Sequence, residues 1–389
     1  MGEAWLSALG WWIAAAVAVV ACLNMLAANP VHKLKVWLQL IVYYAKYWAL
    51  WLWCWALWHL WLAPQAFYAI AAILALLYLY ISWIEPNRLQ IRYHTIDLSQ
   101  NNFVQNHPIA STDNPKASVL KLAVIGDIHV GIFTPHAQLQ QLVRCLNRLD
   151  VDAIVVTGDW LYHAGTDIMG KLSVLKALNK PCYSVLSEDD EAQLQQVCQA
   201  YQNSEGGNYL LINEKINQVL ATMGITVLGQ THLAHQTDIL LNDCHLLGFS
   251  DGAVNNTNVT YPKPSLHQKT LILTHDIKQF LANSQHSQYL NKHTLIIAGQ
   301  THGGQVNVPL LTPWLVNALT GNRSVDGLTC HQITVESPKI DQTANANVSK
   351  SVSKLKQLTF YSWTNTGIGL TGLPFRFRCP PRVDVLTII

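Results

Sequence analysis

The sequence predicts an α/β soluble domain that follows a group of transmembrane helices. Four apolar runs in the later part of the chain each end in a carboxylate or a histidine, and leucines at helical spacing separate the first two runs. Strands that alternate with helices are typical of an α/β fold. Residues 1–85, in contrast, contain only five acidic or basic side chains, which is typical of membrane segments.

Composition limits the classes of function. The chain has 389 residues, of which 50% are hydrophobic, and a formal net charge of +2. This length suggests two or three folding units. Proteins that bind polyanions are normally more basic, so we expect no nucleic-acid partner. The eight cysteines are scattered without a CxxC pair, which favours reduced thiols over a disulfide framework.

About three helices are predicted in a transmembrane domain at residues 1–85. The apolar stretches lie at roughly 4–28, 36–62 and 65–84, and each reaches the roughly 20 residues that a bilayer requires. The first stretch lacks a basic leader and a convincing small-residue cleavage site. We therefore interpret it as a retained span and not as a signal peptide.

Basic residues predict the orientation of these spans. Lys33 and Lys35 follow the first span and Arg88 and Arg92 follow the third, whereas the N-terminus and the turn at 63–65 carry no Lys or Arg. Cytoplasmic loops carry the excess of basic residues in membrane proteins. The sequence therefore predicts a multi-pass protein of the inner (cytoplasmic) membrane whose soluble domain faces the cytoplasm.

The first ligand-bearing strand lies near the start of the soluble domain. Residues 86–118 are predicted as a polar connector, and the soluble domain is assigned to residues 119–389. Its first apolar run ends in Asp127 and His129, which together offer a hard oxygen donor and a nitrogen donor. Two interpretations are open at this point: half of a metal site, or an aspartate that caps a turn beside a packed histidine.

Three further apolar runs shift this balance towards a metal site. They are followed by Asp159, His275 and His302. Because open α/β sheets place their sites at the carboxyl ends of strands, we expect these side chains to meet. Glycines around His302 permit a tight turn that directs its imidazole inward.

Two polar segments complete the soluble domain. Ser187 precedes four acidic residues, and this run is either a helix N-terminus or a loop that reaches the metal site; both interpretations stay open. Residues 333–357 are rich in Ser, Asn, Lys and Thr and are predicted to be a mobile insertion. A last strand is predicted at Val383–Ile388.

The order of these motifs resembles the calcineurin-like metallophosphoesterase superfamily. Its pattern is Asp-x-His, Gly-Asp, Gly-Asn-His-Asp/Glu, a later His and Gly-His-x-His, and the resemblance covers about residues 121–389. Residues 299–306 and 367–381 are most similar to a bacterial, membrane-tethered branch, which includes phosphodiesterases of the UDP-2,3-diacylglucosamine type. The resemblance implies an α/β sandwich of two sheets flanked by helices.

The resemblance also implies two divalent metal ions (Mn, Fe, Mg or Zn), the second of them weak or absent. It assigns Asp127, His129 and His302 to the first metal and gives Asp159 the bridging position. His275 matches a ligand of the second metal, where the family also has an asparagine and a further histidine.

Three positions depart from the family pattern. Glu188 replaces the asparagine and Gln300 replaces the first histidine of Gly-His-x-His, so both are candidate ligands of the second metal. Asp189 replaces the histidine near the leaving group, and with Asp159 it is a candidate catalytic residue. Asp189 could protonate a leaving oxygen only if neighbouring carboxylates raised its pKa.

The resulting prediction is a membrane-anchored, metal-dependent phosphoester hydrolase, either a phosphodiesterase or a phosphatase. Its expected partners are the membrane and a phosphoester, lipid- or nucleotide-linked. Two alternatives stay open: a catalytically weak relative that binds one metal, and a membrane scaffold. The hydrolase predicts metal-dependent turnover, the one-metal protein predicts binding without turnover, and the scaffold predicts indifference to loss of Asp159.

Overall fold

Two facing β-sheets form the larger part of the structure, which is a computed structural model. It describes residues 30–62, 66–98, 102–104, 119–163, 168–190, 192–193, 216–229, 238–250, 261–265, 267–321, 325–336 and 355–389. The strands are β1 (Gln90–Asp97), β2 (Asn102–Val104), β3 (Leu120–Ile125), β4 (Val130–Gly131), β5 (Ala153–Val156), β6 (Leu161–Tyr162), β7 (Cys182–Ser184), β8 (Ile225–Val227), β9 (Asp238–Leu241), β10 (Cys244–Phe249), β11 (Lys269–Thr274), β12 (Thr294–Ala298), β13 (Gly327–Glu336), β14 (Leu355–Thr364) and β15 (Arg382–Ile388).

Within these ranges the strands form a seven-stranded sheet, β2-β1-β15-β3-β5-β7-β8, and a six-stranded sheet, β13-β14-β12-β11-β10-β9. A small third sheet pairs β4 with β6. The helices are α1 (Pro30–Leu62), α2 (Ala66–Leu79), α3 (His136–Arg148), α4 (Ile168–Leu172), α5 (Ile216–Thr222), α6 (Ile277–Ala282) and α7 (Leu311–Thr320). The predicted mixed α/β fold, with sheets flanked by helices, is confirmed.

Side-chain alternation explains how the layers pack. Leu122 and Val124 of β3 point into the space between the two large sheets, where they join Leu271 of β11 in one buried cluster. Ala123 and Ile125, on the opposite face of β3, pack with the leucines of α3. Each large sheet therefore has one face on the other sheet and one face under helices, as the near-continuous apolar runs require.

The prediction that residues 86–118 form a connector is wrong for residues 90–97. Residues 90–97 form β1, which pairs in parallel with β15 from Gln90↔Arg382 to Ile96↔Ile388 and antiparallel with β2. Polar and half-exposed residues fill most of β1, so the strand lacks the apolar run that reveals buried strands. Residues 105–118 lie outside the described part of the chain.

The predicted mobile insertion at 333–357 is corrected at both ends. β13 and β14 form an antiparallel ladder that extends from Gly327↔Thr364 to Glu336↔Leu355. Residues 333–336 and 355–357 are therefore paired strand, and residues 337–354 lie outside the described residues. Most of the Ser, Asn, Lys and Thr residues behind this prediction lie between the two strands, at 337–354, so composition did not mark where the strands end and begin.

The N-terminal helices form a hairpin against the soluble domain. α1 covers the predicted second span, and α2 continues through a π-helical turn, Tyr80–Ile84, and a 3₁₀ turn, Glu85–Asn87. Among the described residues, one helix is long and apolar enough to cross a membrane, Tyr68–Asn87, with a mean hydropathy of 1.7. The many Trp and Tyr residues of α1 lower its hydropathy, and the predicted span at 4–28 lies outside the described residues.

Both helices touch the part of the domain that carries the site. Leu40 of α1 packs in one cluster with Phe133 and Leu370. At the end of the α2 stretch, the carbonyl of Ile81 accepts a hydrogen bond from the backbone N–H of Arg376, 2.9 Å away. The buried carboxylate of Glu85 accepts one from the backbone N–H of Cys379 at 2.8 Å.

We expect a chain that begins at Glu85 to fold and a chain that begins at Val119 to be unstable. The shorter chain loses Ile96 and Leu98, which are 2% and 1% exposed. Two such side chains contribute about 3–6 kcal/mol, a large part of the roughly 5–15 kcal/mol that stabilises a domain. Soluble yield and thermal unfolding of the two fragments test this. Equal melting temperatures would show that β1 is dispensable.

Candidate metal centre

The candidate residues lie at the carboxyl ends of neighbouring parallel strands. β3, β5 and β7 are adjacent and parallel, and their ends lead to Asp127, Asp159 and the 187–190 segment. β11 and β12 are adjacent and parallel in the other sheet and lead to His275 and His302. The site therefore lies where the corresponding edges of both sheets meet, as open sheets predict.

Four of the predicted ligands form one buried cluster. Ligand atoms of Asp127, His129, Asp159 and His302 all lie within 4.8 Å of one another. Nε2 of His129 is 3.3 Å from Oδ2 of Asp159, and Nε2 of His302 is 3.7 Å from Oδ1 of Asp127. The two imidazole Nε2 atoms are 2.9 Å apart.

The electrostatics of this cluster fit a bound cation. Burial lowers the pKa of His129 to about 3 and holds the pKa of His302 well below its ordinary value, so both rings are neutral at pH 7. Burial raises the pKa of Asp127 to about 6 and also raises that of Asp159. Two nitrogen and two carboxylate donors, buried together without a protein cation among them, suit a divalent transition metal.

The backbone is strained at these positions. Half of the described non-glycine residues with a left-handed backbone belong to the site, and their φ values are 46° at Asp127, 49° at His129, 58° at Asp159, 71° at Gln300 and 51° at His302. Each such residue costs about 1–3 kcal/mol unless surrounding structure enforces it. Here the backbone N–H groups of Asp127 and His129 donate to the carbonyls of Gly158 and Asp159. Such strain is typical of functional sites.

His275 lies next to the cluster and is oriented by the backbone. Its Nδ1–H donates to the carbonyl of Thr157 at 3.0 Å. This hydrogen bond sets the tautomer and leaves Nε2 as the lone-pair nitrogen, 4.0 Å from Oδ2 of Asp159. The proximity of Asp159 to His275 is compatible with a carboxylate shared between two metal positions. The shared position of Asp159 stays a prediction.

The three residues that depart from the family pattern lie on the wall of a cavity beside the cluster. The cavity has a volume of about 490 Å³ and is lined by Glu188, Asp189 and Gln300 together with His275. Glu188 and Asp189 are exposed. The side-chain amide of Gln300 donates to Oδ2 of Asp276 at 3.1 Å, while its backbone N–H faces the carboxylate of Asp127 at 3.2 Å.

Sequence reasoning missed Asp190, the last acid of the short helical segment at 188–190. Its buried carboxylate accepts hydrogen bonds from the backbone N–H groups of Asp159, Trp160 and Ser187 at 3.1, 2.6 and 3.0 Å. It thereby joins the Asp159 loop to the 187–190 segment and holds both at the cavity. The bond to Ser187 is the return half of a capping box, which agrees with the helix interpretation of this run.

Sequence reasoning also missed the role of Arg376. This guanidinium is fully buried and donates to the carbonyls of Thr366, Gly367, Gly369 and Cys379. A Cβ at Gly367 or Gly369 would meet the side chain of Asp127 or His129 at 2.7 Å. Arg376 therefore fixes a glycine loop directly against two metal-ligand candidates. The available signal was weak, because Arg376 is one of two arginines in the 367–381 tail, with Arg378.

We expect the affinity for the first metal to fall by at least about tenfold between pH 7 and pH 5, because a cation must displace the proton of Asp127. The pKa of that carboxyl is raised to about 6, so metal-free protein takes up the proton as the pH falls through 6. His129, with a pKa of about 3, adds no protonation in this window. Calorimetric Mn²⁺ titrations at pH 7, 6 and 5 measure the effect. An affinity that did not change with pH would contradict it.

The chain is similar to known proteins both by family model and by overall sequence. Residues 120–302 match the family model described as calcineurin-like phosphoesterase. The UDP-2,3-diacylglucosamine pyrophosphatase LpxG of Chlamydia muridarum (strain MoPn / Nigg) is 22% identical over 357 residues, which cover 82% of this chain and 94% of that protein. The matched segment contains β3, β5 and β12, whose ends carry the four clustered ligand candidates, and β11, which leads to His275, and it ends at His302.

Proposed function

We infer that this chain hydrolyses phosphoric esters with divalent metal ions, because residues 120–302 match the calcineurin-like phosphoesterase family. The observation that carries the proposal is the buried group of Asp127, His129, Asp159 and His302. It adjoins a cavity of about 490 Å³ into which a phosphoryl group fits.

The residues of the chain divide into two sets in this proposal. Asp127, His129 and His302 would hold one cation, and Asp159 would contribute to both positions. The second set, on the cavity wall, is His275, Glu188 and Gln300. Bound cations in such a site neutralise phosphoryl charge and lower the pKa of water. Asp189 faces the same cavity, where a leaving oxygen would need a proton.

The protein also shapes the site without touching substrate. Asp190 and Arg376 fix the loops that carry the ligands, and Thr157 orients His275. Because these groups are held before substrate arrives, the ligands need little reorganisation during the reaction. In-line attack by water requires no covalent intermediate, so a nucleophilic Ser or Cys is not needed.

We further propose a substrate at a membrane. The relative LpxG is by its name a pyrophosphatase of UDP-2,3-diacylglucosamine, a nucleotide-linked lipid. A hairpin of apolar helices also packs against the site-bearing domain here, through Leu40 and Ile81. A lipid- or nucleotide-linked pyrophosphate or phosphodiester is the substrate class that fits both observations.

The proposed location is the inner (cytoplasmic) membrane, with several spans and the phosphoesterase domain in the cytoplasm. The excess of Lys and Arg at Lys33, Lys35, Arg88 and Arg92 supports this orientation. A reporter fused after Ile389 should be active in the cytoplasm. Activity only outside it would reverse the proposed topology.

The function is tested on the full chain purified in detergent. Bound metal per chain is measured first, and a generic phosphodiester is then assayed with Mn²⁺, with EDTA, and with Mn²⁺ restored. The proposal predicts turnover that EDTA removes and Mn²⁺ recovers. Metal binding without turnover on phosphodiester, phosphomonoester or pyrophosphate substrates would contradict it.

That last outcome corresponds to a second candidate, a one-metal binding relative. The specific observation in its favour is Gln300, whose amide nitrogen is bonded to Asp276 at a position where the family has an imidazole. This candidate predicts about one tightly bound ion per chain in place of two.

A further inference from the structure

The apolar stripe of α7 points away from the protein. The described part of this helix contains no charged residue, and its buried side consists of Thr312 and Val316. The exposed residues are Leu311, Pro313, Trp314, Leu315, Asn317 and Ala318, and among them Leu311, Trp314, Leu315 and Ala318 form an apolar stripe at helical spacing. Trp314 is 65% exposed and Leu311 is 53% exposed. In a soluble helix such a stripe normally faces the core, so its outward position marks a surface that contacts a membrane or another molecule.

The residue before the helix is also presented outward. Leu310 is 92% exposed, and its backbone has φ 66° and ψ −39°, a strained turn conformation that a bulky residue adopts at a cost of about 1–3 kcal/mol. Exposure of Leu310 to water is unfavourable, because the hydration of a leucine side chain is less favourable than that of a polar side chain. Contact with an apolar medium would offset the strain.

The stripe is structurally continuous with the end of the apolar hairpin. The backbone N–H of Asn307, in the segment leading to α7, donates to the carbonyl of Phe377 at 2.8 Å. The neighbouring N–H of Arg376 donates to the carbonyl of Ile81, within the one described stretch that is long enough to cross a membrane. Trp83 and Ile84, at the end of that stretch, are 43% and 55% exposed.

We propose that α7 and Leu310 lie in the interface of the same lipid bilayer that holds the hairpin. Trp and Leu on one face of a helix with no charge on that face are typical of interfacial helices, where rings sit at the headgroup level. This inference rests on the membrane anchoring proposed above. It adds a second contact, on the phosphoesterase domain itself.

Contact between α7 and a bilayer would also affect the candidate metal site, because α7 packs against the turn that carries His302. Thr312 and Val316 lie against Gly304, in the turn that carries His302, and a Cβ at Gly304 would meet the Thr312 methyl at 2.3 Å. The hydroxyl of Thr312 donates to the carbonyl of Val306 at 2.7 Å. A bilayer that holds α7 therefore also holds the turn that presents His302.

The test uses the photoreactive residue p-benzoylphenylalanine in the full chain, reconstituted in vesicles of phosphatidylethanolamine and phosphatidylglycerol with tritiated lipid. The probe replaces Trp314 or, as a second position, Leu311. Leu240 on β9 is the matched control because it is also 65% exposed, and Leu74 of α2, 60% exposed, reports the hairpin. We expect lipid adducts at 314 at least about fivefold above those at 240 and within about twofold of those at 74.

The outcomes separate this inference from the anchoring on which it rests. Labelling at 74 with only background at 311 and 314 would overturn the α7 contact and leave the anchoring intact. Background at every position would overturn both. Crosslinks at 314 to a second copy of the chain, with no lipid adduct, would assign the stripe to a protein interface and overturn the proposal.

Discussion

Asp159→Asn is expected to reduce metal-dependent hydrolysis by about a thousandfold or more, which corresponds to about 4 kcal/mol of activation free energy. Oδ2 of Asp159 is 3.3 Å from Nε2 of His129 and 4.0 Å from Nε2 of His275. Oδ1 of Asp127 is also close to both His302 and His275, but it lies 3.9 Å from Nδ1 of His275, the nitrogen that donates to Thr157. Among the described ion pairs, Oδ2 of Asp159 is the carboxylate oxygen that approaches the Nε2 atom of an imidazole from each predicted metal position. An amide at this place removes a negative charge from both positions.

The fold should survive this substitution. Oδ1 of Asp159 accepts a hydrogen bond from the Ser187 hydroxyl at 3.3 Å, and an asparagine oxygen can do the same. Asparagine also tolerates the left-handed backbone at φ 58°. Because burial raises the pKa of Asp159, the metal-free protein loses no favourable buried charge. Its melting temperature in EDTA should be unchanged or higher.

The matched control is Asp150→Asn, which removes an equal charge from a side chain that is 92% exposed. Its turnover and metal content should equal those of the parent. Steady-state rates with Mn²⁺ and metal content per chain measure both variants. Full turnover by a folded Asp159→Asn protein would place the catalytic centre elsewhere.

The clustered ligands were predictable because each depends on local sequence. Asp127 and Asp159 follow apolar runs, and an apolar run that stops at a charged residue marks the end of a buried strand. The ends of adjacent parallel strands then come together without further information. For the same reason β11 and β12 could be recognised before His275 and His302.

Other features depend on partners distant in sequence. β1 is recognisable only through its pairing with β15, which is almost 300 residues away, because the exposed part of its own pattern resembles a linker. Asp190 and Arg376 hold loops through hydrogen bonds to backbone groups, and no local pattern marks a charged residue as buried. The bond from Gln300 to Asp276 likewise joins the ends of two different strands.

The hydrogen bond between Gln300 and Asp276 shows where a histidine could strengthen the second metal position. We expect Gln300→His together with Asp189→His to tighten the second metal by about 10–100-fold and to raise turnover by at least about tenfold. An imidazole at 300 can donate one ring N–H to Oδ2 of Asp276, which now accepts from the Gln300 amide at 3.1 Å. Its other nitrogen then has the lone pair and orientation that metal-bound histidines obtain from a carboxylate partner.

The backbone also favours this change. Gln300 has φ 71°, and histidine occupies that region more readily than most residues, as His129 and His302 already do. At 189, an exposed position on the cavity wall, an imidazole titrates near neutral pH and can therefore give a proton to a leaving oxygen there.

Mn²⁺ titration and turnover of the double variant, both single variants and the parent measure the two contributions. Gln279→His is the matched control, since it adds an imidazole to the same cavity from α6. Adding Asp276→Asn to Gln300→His should remove most of the gain in affinity, because the orienting carboxylate is lost. If the double variant bound the second metal no better and lost activity, Glu188 and Asp189 would constitute a working carboxylate version of the site, and the weakened-site account would be wrong.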